Sequence, residues 1–595
     1  MTQQQLKNEL NRGWRQVETV TIPGATPPAD VEVLVVGAGP SGLATAAELH
    51  RHGVDVAVVD TVRSASLQRA GAMGWGPRVV ELFSQWGIAE EVQRGWTFPP
   101  EWNHGTRLRT SLVGHNLDRG PSRSFTKRPG GNYSFSDGIR RPQTVVQQAL
   151  LARLGDAGVV VAGGWKVVGL REAHDHAVVE VEHVDHGTRR EIKARFVVGA
   201  DGGSSTVRRL AGIERDGEYT DQRNFRFVVR VRDLPSTVGL SLSATNVIVN
   251  QDYSGFLAAI SETDWRLYAG PYPVGYEPTE DELLALTRAA FGADVDAEIV
   301  SLTSFYKVTR IASTFRRKHV FLVGDAAHVR TPGGNLAEGF GDVANLGWKL
   351  AAVLNGRGGE ALLDSYDAER RRHNWRVGEV AFHRSQEADR GVEQARAIGF
   401  PSDEDVSDDA NDRRRRITQL LNSGGSPQPG ITFDERYDSS PVIWYDNRQL
   451  ENETPWAAEL YVPGGSPGHR APNGNVDPFG GTLYDRLRSH IALVVFGEDV
   501  SGLSAFEYAA EERGIDIEIV LLPDIEAREL YGASYVLVRP DHHVAWRGNG
   551  APVDAGAVLD HIYGRETDVR LRAEDQSADE QLVGASGALA SIDIA

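Results

Sequence analysis

Apolar residues in this chain gather in short runs that stop at glycine. Val31-Glu32-Val33-Leu34-Val35-Val36 is apolar at all but one position, which predicts a strand buried on both faces. Gly37 breaks it, an Ala- and Leu-rich segment from Ser41 to His52 reads as a helix ending before Gly53, and a second largely apolar run covers 54–59. Strand, turn, helix and strand in that order predict a βαβ unit. The strand-to-glycine pattern then returns twice. Phe196-Val197-Val198 leads into Gly199-Ala200-Asp201-Gly202, and a strand over 319–323 leads into Gly324-Asp325. The Pro332-Gly333-Gly334 turn that follows introduces a helix from about Phe340 to Leu354.

Between Ser205 and Arg310 the pattern changes to alternation. Phe225-Arg226-Phe227-Val228-Val229 and Val247-Ile248-Val249 predict an antiparallel sheet, with Tyr253, Phe256, Trp265, Tyr268 and Tyr272 mostly in its core. The stretch from Pro401 to Pro429 is polar and reads as a linker, its Arg413-Arg414-Arg415-Arg416 run forming a solvated helix face. Beyond it come a strand over 491–496, a helix around Ser504 to Arg513, a strand over 515–522 and a hairpin joining 535–539 to 544–547. The order is β-α-β-β-β with a closing helix.

At 595 residues the chain is too long for one ordinary core, and 41% hydrophobic content is ample for two or three domains. Its 63 basic and 82 acidic residues give a formal charge of −19, which argues against nucleic acid or an anionic membrane as the main partner. Zero cysteines exclude disulfides, thiolate metal sites and a redox dithiol. No long apolar run and no basic-then-apolar leader appear, so a soluble, cytoplasmic protein is expected, and no metal is called for.

The glycines carry the chemistry. Gly37 permits a tight turn, Gly39 lets a pyrophosphate approach the backbone, and Gly42 allows close helix–strand packing. Pro40 and Ser41 open a helix whose free N–H groups and positive dipole favour phosphate. Asp60, ending the second strand, is placed to accept hydrogen bonds from a ribose diol. These features leave NAD and FAD equally open, because the two share an adenosine half. Asp201 and Gly202 alone describe an ordinary turn. Asp325, just after a strand, can receive ribityl hydroxyl protons, while Pro332, Gly333, Gly334 and the helix behind them suit the anionic edge of a reduced flavin. A helix N-terminus stabilises such charge by about 0.3–2 kcal/mol. Three separated motifs that gather one large dinucleotide point to FAD.

Taken together these residues resemble the group A flavoprotein monooxygenases, aromatic hydroxylases related to para-hydroxybenzoate and phenol hydroxylases. The resemblance covers about residues 31–385. It includes Arg69-Ala70 after the second strand, Gln143 opening a helix, and the run from Asp342 to Leu354 followed by Tyr366-Asp367-Ala368-Glu369-Arg370-Arg371. It implies an α/β protein with a Rossmann-like FAD-binding domain (31–205 and 311–400) after an N-terminal arm (1–30). A mostly antiparallel substrate sheet (206–310) is inserted, and a linker (401–430) follows. The last 431–565 resemble a thioredoxin-like domain, here without thiols and left with packing or oligomerisation, a homodimer being allowed; 566–595 form a mobile tail. Two departures stand out: a longer segment between Arg69 and Arg78, and Asn335-Leu336-Ala337-Glu338-Gly339 in a shortened loop where the family carries Gly-Met-Asn-x-Gly.

The implied reaction reduces FAD with NADPH or NADH, which visits transiently, forms a flavin C4a-hydroperoxide with O2, and transfers one oxygen atom to an electron-rich or polyketide-like aromatic. Baeyer–Villiger oxygenation of a ketone, or a flavin-dependent dehydrogenase or reductase, would keep the same motifs. No catalytic base is identified; His328 reads as a packing and capping residue. Asp325→Ala should weaken FAD retention more than it alters folding, measured as flavin content against thermal unfolding; unchanged FAD affinity would remove the ribityl assignment.

Overall fold

A computed structural model describes residues 19–66, 73–103, 105–118, 127–128, 131–132, 134, 138–232, 234, 242–330, 335–423, 428–446, 453–473, 482–522 and 525–565. Arg69 and the Pro332-Gly333-Gly334 turn lie outside these residues, as does the tail after Arg565. The chain divides into two compact units, one from 1–351, 369–435 and 455–463, the other from 352–368, 436–454 and 464–595.

The first unit begins with the expected βαβ element. β1 (Asp30–Val36), α1 (Pro40–Arg51) and β2 (Val56–Asp60) are followed by α2 (Gln143–Asp156), β3 (Val160–Gly163), β4 (Trp165–Glu172), β5 (Ala177–His183) and β6 (Arg189–Gly199). The sheet order is β3-β2-β1-β6-β5-β4. β1, β2 and β3 run parallel, and so does β6 beside β1, whereas β5 pairs antiparallel with the first half of β6. Burial on both faces explains the unbroken apolar run from Val33 to Val36, while Asp30 and Glu32 at the start of β1 are exposed.

The second sheet is built on β7 (Arg215–Val231), β8 (Thr245–Val249), β9 (Ser254–Ala259), β10 (Asp264–Tyr272) and β11 (Ala297–Ala312). Its seven strands lie in the order His328–Arg330, β11, β7, β10, β9, β8, Thr106–Arg109. Phe225, Phe227 and Val229 alternate onto one face of β7 and pack with Leu257, Trp265 and Phe291. Trp265 is fully buried, 5.7 Å from the ring of Trp102 and 5.6 Å from Phe291. Tyr253 is also core, but Phe256 is 43% exposed, because the pleat turns it to the outer face. One element was missed: α3 (Glu280–Phe291) interrupts the strands, closed by a capping box between Thr279 and Glu282. That Thr-x-x-Glu signature was present in the sequence.

The chain then returns to the first sheet. β12 (Val320–Leu322) pairs parallel with the second half of β6. α4 (Asn335–Leu354) starts at Asn335, so the segment 335–339 is the helix's first turn and not a shortened loop. Leu, Ala and Glu are good helix formers, and Glu338 is held there by Arg370 and His373. After α5 (Arg372–Ile398), the stretch expected as a linker contains α6 (Asp408–Ser423). Its Arg415 and Arg416 are solvated as expected, but Arg414 is buried and donates to the carbonyls of Ser402 and Asp405, and Ile417 is core. A polar sequence hid this helix because only one narrow stripe of it is apolar.

The second unit holds β13 (Ile491–Phe496), α7 (Leu503–Glu512), β14 (Ile517–Leu522), β15 (Tyr535–Val538), β16 (Val544–Gly548) and α8 (Ala555–Ile562). The sheet order β14-β13-β15-β16, with β13 and β14 parallel and the rest antiparallel, is thioredoxin-like. A further helix, Ile525–Tyr531, stands between the second and third strands, where the β-α-β-β-β reading had none.

Replacing Trp265 by Ala leaves a cavity where three aromatic rings meet. We expect a loss of about 3–5 kcal/mol, measured by denaturant unfolding followed by circular dichroism; a loss below 1 kcal/mol would show that this sheet does not depend on that core.

Candidate functional site

Parallel strands carry their C-terminal ends to one edge, and register decides which residues stand there. Val36 is opposite Val59 on one side and Gly199 on the other, and Gly199 is opposite Leu322. The three glycine-acid motifs and Asp60 therefore all leave the sheet from the same edge, the place where open α/β sheets bind ligands.

At that edge the loops touch. Gly37 has φ 115°, and a Cβ there would lie 2.4 Å from the carbonyl oxygen of Ala200, so the first motif presses directly on the second. A Cβ on Gly42 would stand 1.8 Å from the oxygen of Gly37. Ser41 packs against the third motif: Cβ atoms built on Gly324 and Gly339 would approach its Oγ to 2.8 Å and 2.9 Å. Gly324 itself has φ 57°. Gly39 differs from all of these. Its φ is −72°, open to any residue, and a Cβ there meets nothing within 4 Å among the described residues. The protein's own packing needs Gly37 and Gly42, but not Gly39.

The acids are placed as follows. Asp60 accepts from the Ala38 N–H at 2.6 Å and the Val62 N–H at 2.8 Å, which fixes the first loop to the end of β2. Gln147 of α2 donates to the Ala38 carbonyl at 2.7 Å, and Gln143 lies half-buried in the first turn of the same helix. Asp201 Oδ2 caps the helix Thr206–Leu210 by accepting from the N–H groups of Thr206 and Val207. Its Oδ1 is buried with no hydrogen-bond partner among the described residues. Gly202 adopts φ 80° beside it. Asp325 is exposed, at the mouth of the third loop.

Two anchors went unread in the sequence. Arg215 donates to the Gly203 carbonyl at 2.6 Å, to the Ala326 carbonyl at 3.0 Å and to the Asp325 carbonyl, so one guanidinium clamps the second motif to the third. Burial, with Arg208 and Arg310 nearby, lowers its pKa to about 10. No local pattern marks such a residue. Asp342 lies fully buried in α4 and accepts from the Gly324 N–H at 3.0 Å, His328 Nε2 at 2.7 Å and Arg370 Nε at 2.9 Å. Burial pushes its carboxyl up, but His328 and Arg370 outweigh that and hold it below the ordinary aspartate range. Arg370 also pairs with Glu338 and Glu435, and Glu435 accepts from Arg78 at 2.7 Å. His328 is thus a buried structural partner, as its sequence context implied. Among the described residues no cluster of His, Asp and Glu could hold a metal ion.

A parallel sheet that delivers three glycine loops to one edge, joined to an antiparallel sheet, defines a dinucleotide-binding flavoprotein. The chain belongs to the FAD-dependent aromatic-ring hydroxylases: residues 30–381 match the FAD binding domain family, and residues 465–565 match the aromatic-ring hydroxylase C-terminal family. Aklavinone 12-hydroxylase RdmE of Streptomyces purpurascens is 30% identical over 91% of this chain and 99% of its own length. The solved structure of the rebeccamycin biosynthetic enzyme RebC with reduced flavin is 26% identical with a TM-score of 0.76, over 91% of this chain and 100% of that one. Aklavinone-11 hydroxylase, solved with FAD and aklavinone, is 26% identical with a TM-score of 0.74 over the same shares.

The glycines give a paired prediction. Gly42→Ala should reduce stability or soluble yield, because backbone must move. Gly39→Ala should leave the unfolding midpoint within about 0.5 kcal/mol of wild type and still reduce FAD affinity at least tenfold by flavin fluorescence titration. Equal effects of the two on folding would remove the distinction between packing and ligand glycines.

Proposed function

We propose that this chain holds FAD along the common strand edge and uses it to hydroxylate a fused-ring, polyketide-like aromatic. Gly37, Gly39, Pro40, Ser41, Gly42 and Asp60 would hold the ADP half, with Arg69 and Gln143 beside it. Gly324 and Asp325 would hold the ribityl chain, Asp201 and Gly202 would serve both FAD and the nicotinamide nucleotide, and Pro332, Gly333 and Gly334 would face the ring. The observation that carries this reading is Gly39: a glycine that neither backbone conformation nor packing requires, in the loop where a pyrophosphate approaches. The unpartnered Asp201 Oδ1 adds a buried acceptor suited to a ligand hydroxyl.

When bound, FAD carries electrons from NADPH or NADH to O2. The chain's own work is different. The N-terminus of α1 presents backbone N–H groups to phosphate. Arg215 and Asp342 hold the second and third loops in place from behind. The relatives named for aklavinone support a multi-ring substrate in place of a single phenol. The missing dithiol leaves the second unit with packing or assembly, and a homodimer in the cytoplasm completes the proposal. Among the described residues no helix is long and apolar enough to cross a membrane.

The test supplies purified, FAD-loaded protein with NADPH, heavy-isotope dioxygen and a panel of phenolic polycycles. Substrate-stimulated NADPH oxidation with one labelled oxygen in a ring hydroxyl is expected. Oxygen uptake without label in the product would favour a dehydrogenase, and a labelled ester from a ketone would favour Baeyer–Villiger chemistry.

A further inference from the structure

Within the first unit lies a cavity of about 610 Å³ that none of the three glycine motifs lines. Its floor is a two-stranded ribbon in which Gly74 and Trp75 pair with Arg140 and Ile139. The edge of the seven-stranded sheet, where Thr106 and Thr245 stand in register, and Trp96 also line it. The volume suits a multi-ring small molecule.

Its charge is one-sided. Arg140 and Arg141 line the cavity, and among the described residues no Asp or Glu does. Arg140 donates to the Ala244 carbonyl at 3.3 Å and weakly to the Met73 sulfur, with its guanidinium 5.9 Å from the Phe98 ring. Arg141 is 2% exposed. It donates to the carbonyls of Arg140 and Gln93 and stacks 3.4 Å over the Trp96 ring. Each keeps a buried Nε–H without an acceptor, and neither meets a carboxylate among the described residues. Burial, and for Arg140 the like charge of Arg266, lowers their pKa values to about 9 and about 10, so both remain cationic at neutral pH. A buried cation with no counter-ion is costly. An entering oxyanion offsets that cost, and the planar guanidinium fork matches a carboxylate in two-point geometry.

We propose that this cavity selects aromatic substrates that carry an anionic oxygen, a carboxylate or an ionised enol, which Arg140 and Arg141 bind while Trp75 and Trp96 face the rings. The inference deepens the hydroxylase reading and rests on it for the substrate's being aromatic. An alternative source of the same chemistry is a phosphate of the nicotinamide nucleotide. Two tryptophans in the lining favour the aromatic acid.

The experiment compares binding of 1-hydroxy-2-naphthoate and of 1-naphthol to the FAD-loaded protein at neutral pH, with tryptophan fluorescence as the readout. The naphthoate should bind at least tenfold tighter, and Arg140→Gln and Arg141→Gln should abolish that preference. Arg141 is deeply buried, so a second variant keeps its packing: Asn103→Asp adds a carboxylate to the exposed rim of the cavity and should cut naphthoate affinity several-fold. Naphthoate binding no tighter than naphthol binding, including binding of neither, overturns the proposal. So does a preference that survives all three substitutions, or a rise in the KM for NADPH as the sole effect of Arg140→Gln. A protein that prefers the naphthoate yet oxidises no NADPH with any aromatic would retain the anion site while the hydroxylase reading fails.

Discussion

Everything at the dinucleotide edge depends on β6 reaching two partners at once. Its second half runs parallel to β1 on one side and to β12 on the other, so residues far apart in the chain, Val36, Gly199 and Leu322, form one row. The loops that leave this row have little freedom. Gly37 must pass the Ala200 carbonyl, and Ser41 must pass Gly324, at distances that no side chain could occupy. Local glycine chemistry and long-range register thus solve the same problem, the close approach of three backbones at one strand edge.

Buried charge holds that arrangement from behind. Asp342, His328, Arg370, Glu338, Glu435 and Arg78 form a connected set of hydrogen-bonded acids and bases beneath the third loop. Such groups gain little net stability over apolar packing, but removing one partner leaves an uncompensated charge. Here the set fixes position: the same carboxylate that meets Arg370 also receives the Gly324 N–H, so the loop's backbone is registered against α4. Arg215 makes the corresponding tie between the second and third loops through carbonyls alone. The cavity beside Arg140 and Arg141 shows the opposite condition, guanidiniums without acids among the described residues, and this contrast within one unit is what marks it as a place for a ligand.

Much of the fold was legible because its strands are unambiguous. β1, β2 and β13 are apolar runs bounded by glycine or acid, and β7 alternates from Phe225 to Phe227. Errors fell where the pattern was weak. α3 was hidden among strands despite its Thr279–Glu282 box, and α6 was hidden by its polar surface. The early start of α4 is masked by the segment's departure from the family's Gly-Met-Asn-x-Gly pattern, although Leu336, Ala337 and Glu338 are good helix formers. In the site, glycines and acids announced themselves by type and spacing, whereas Arg215 lies in a strand and shows nothing until its carbonyl partners are near.

Residue type and spacing alone were enough for most of the strands, the three loops and the kind of ligand they serve, because turn glycines and buried strands are local consequences of residue type. They also excluded thiol chemistry from the second unit. Packing in three dimensions separates the glycines the protein needs for its own contacts from the one it leaves free for a ligand. It alone brings Arg215 and Asp342 to the loops and, among the described residues, leaves Arg140 and Arg141 without acids. The reason is physical: close approach and charge compensation are properties of neighbours in space, and neighbours here are separated by up to hundreds of residues along the chain.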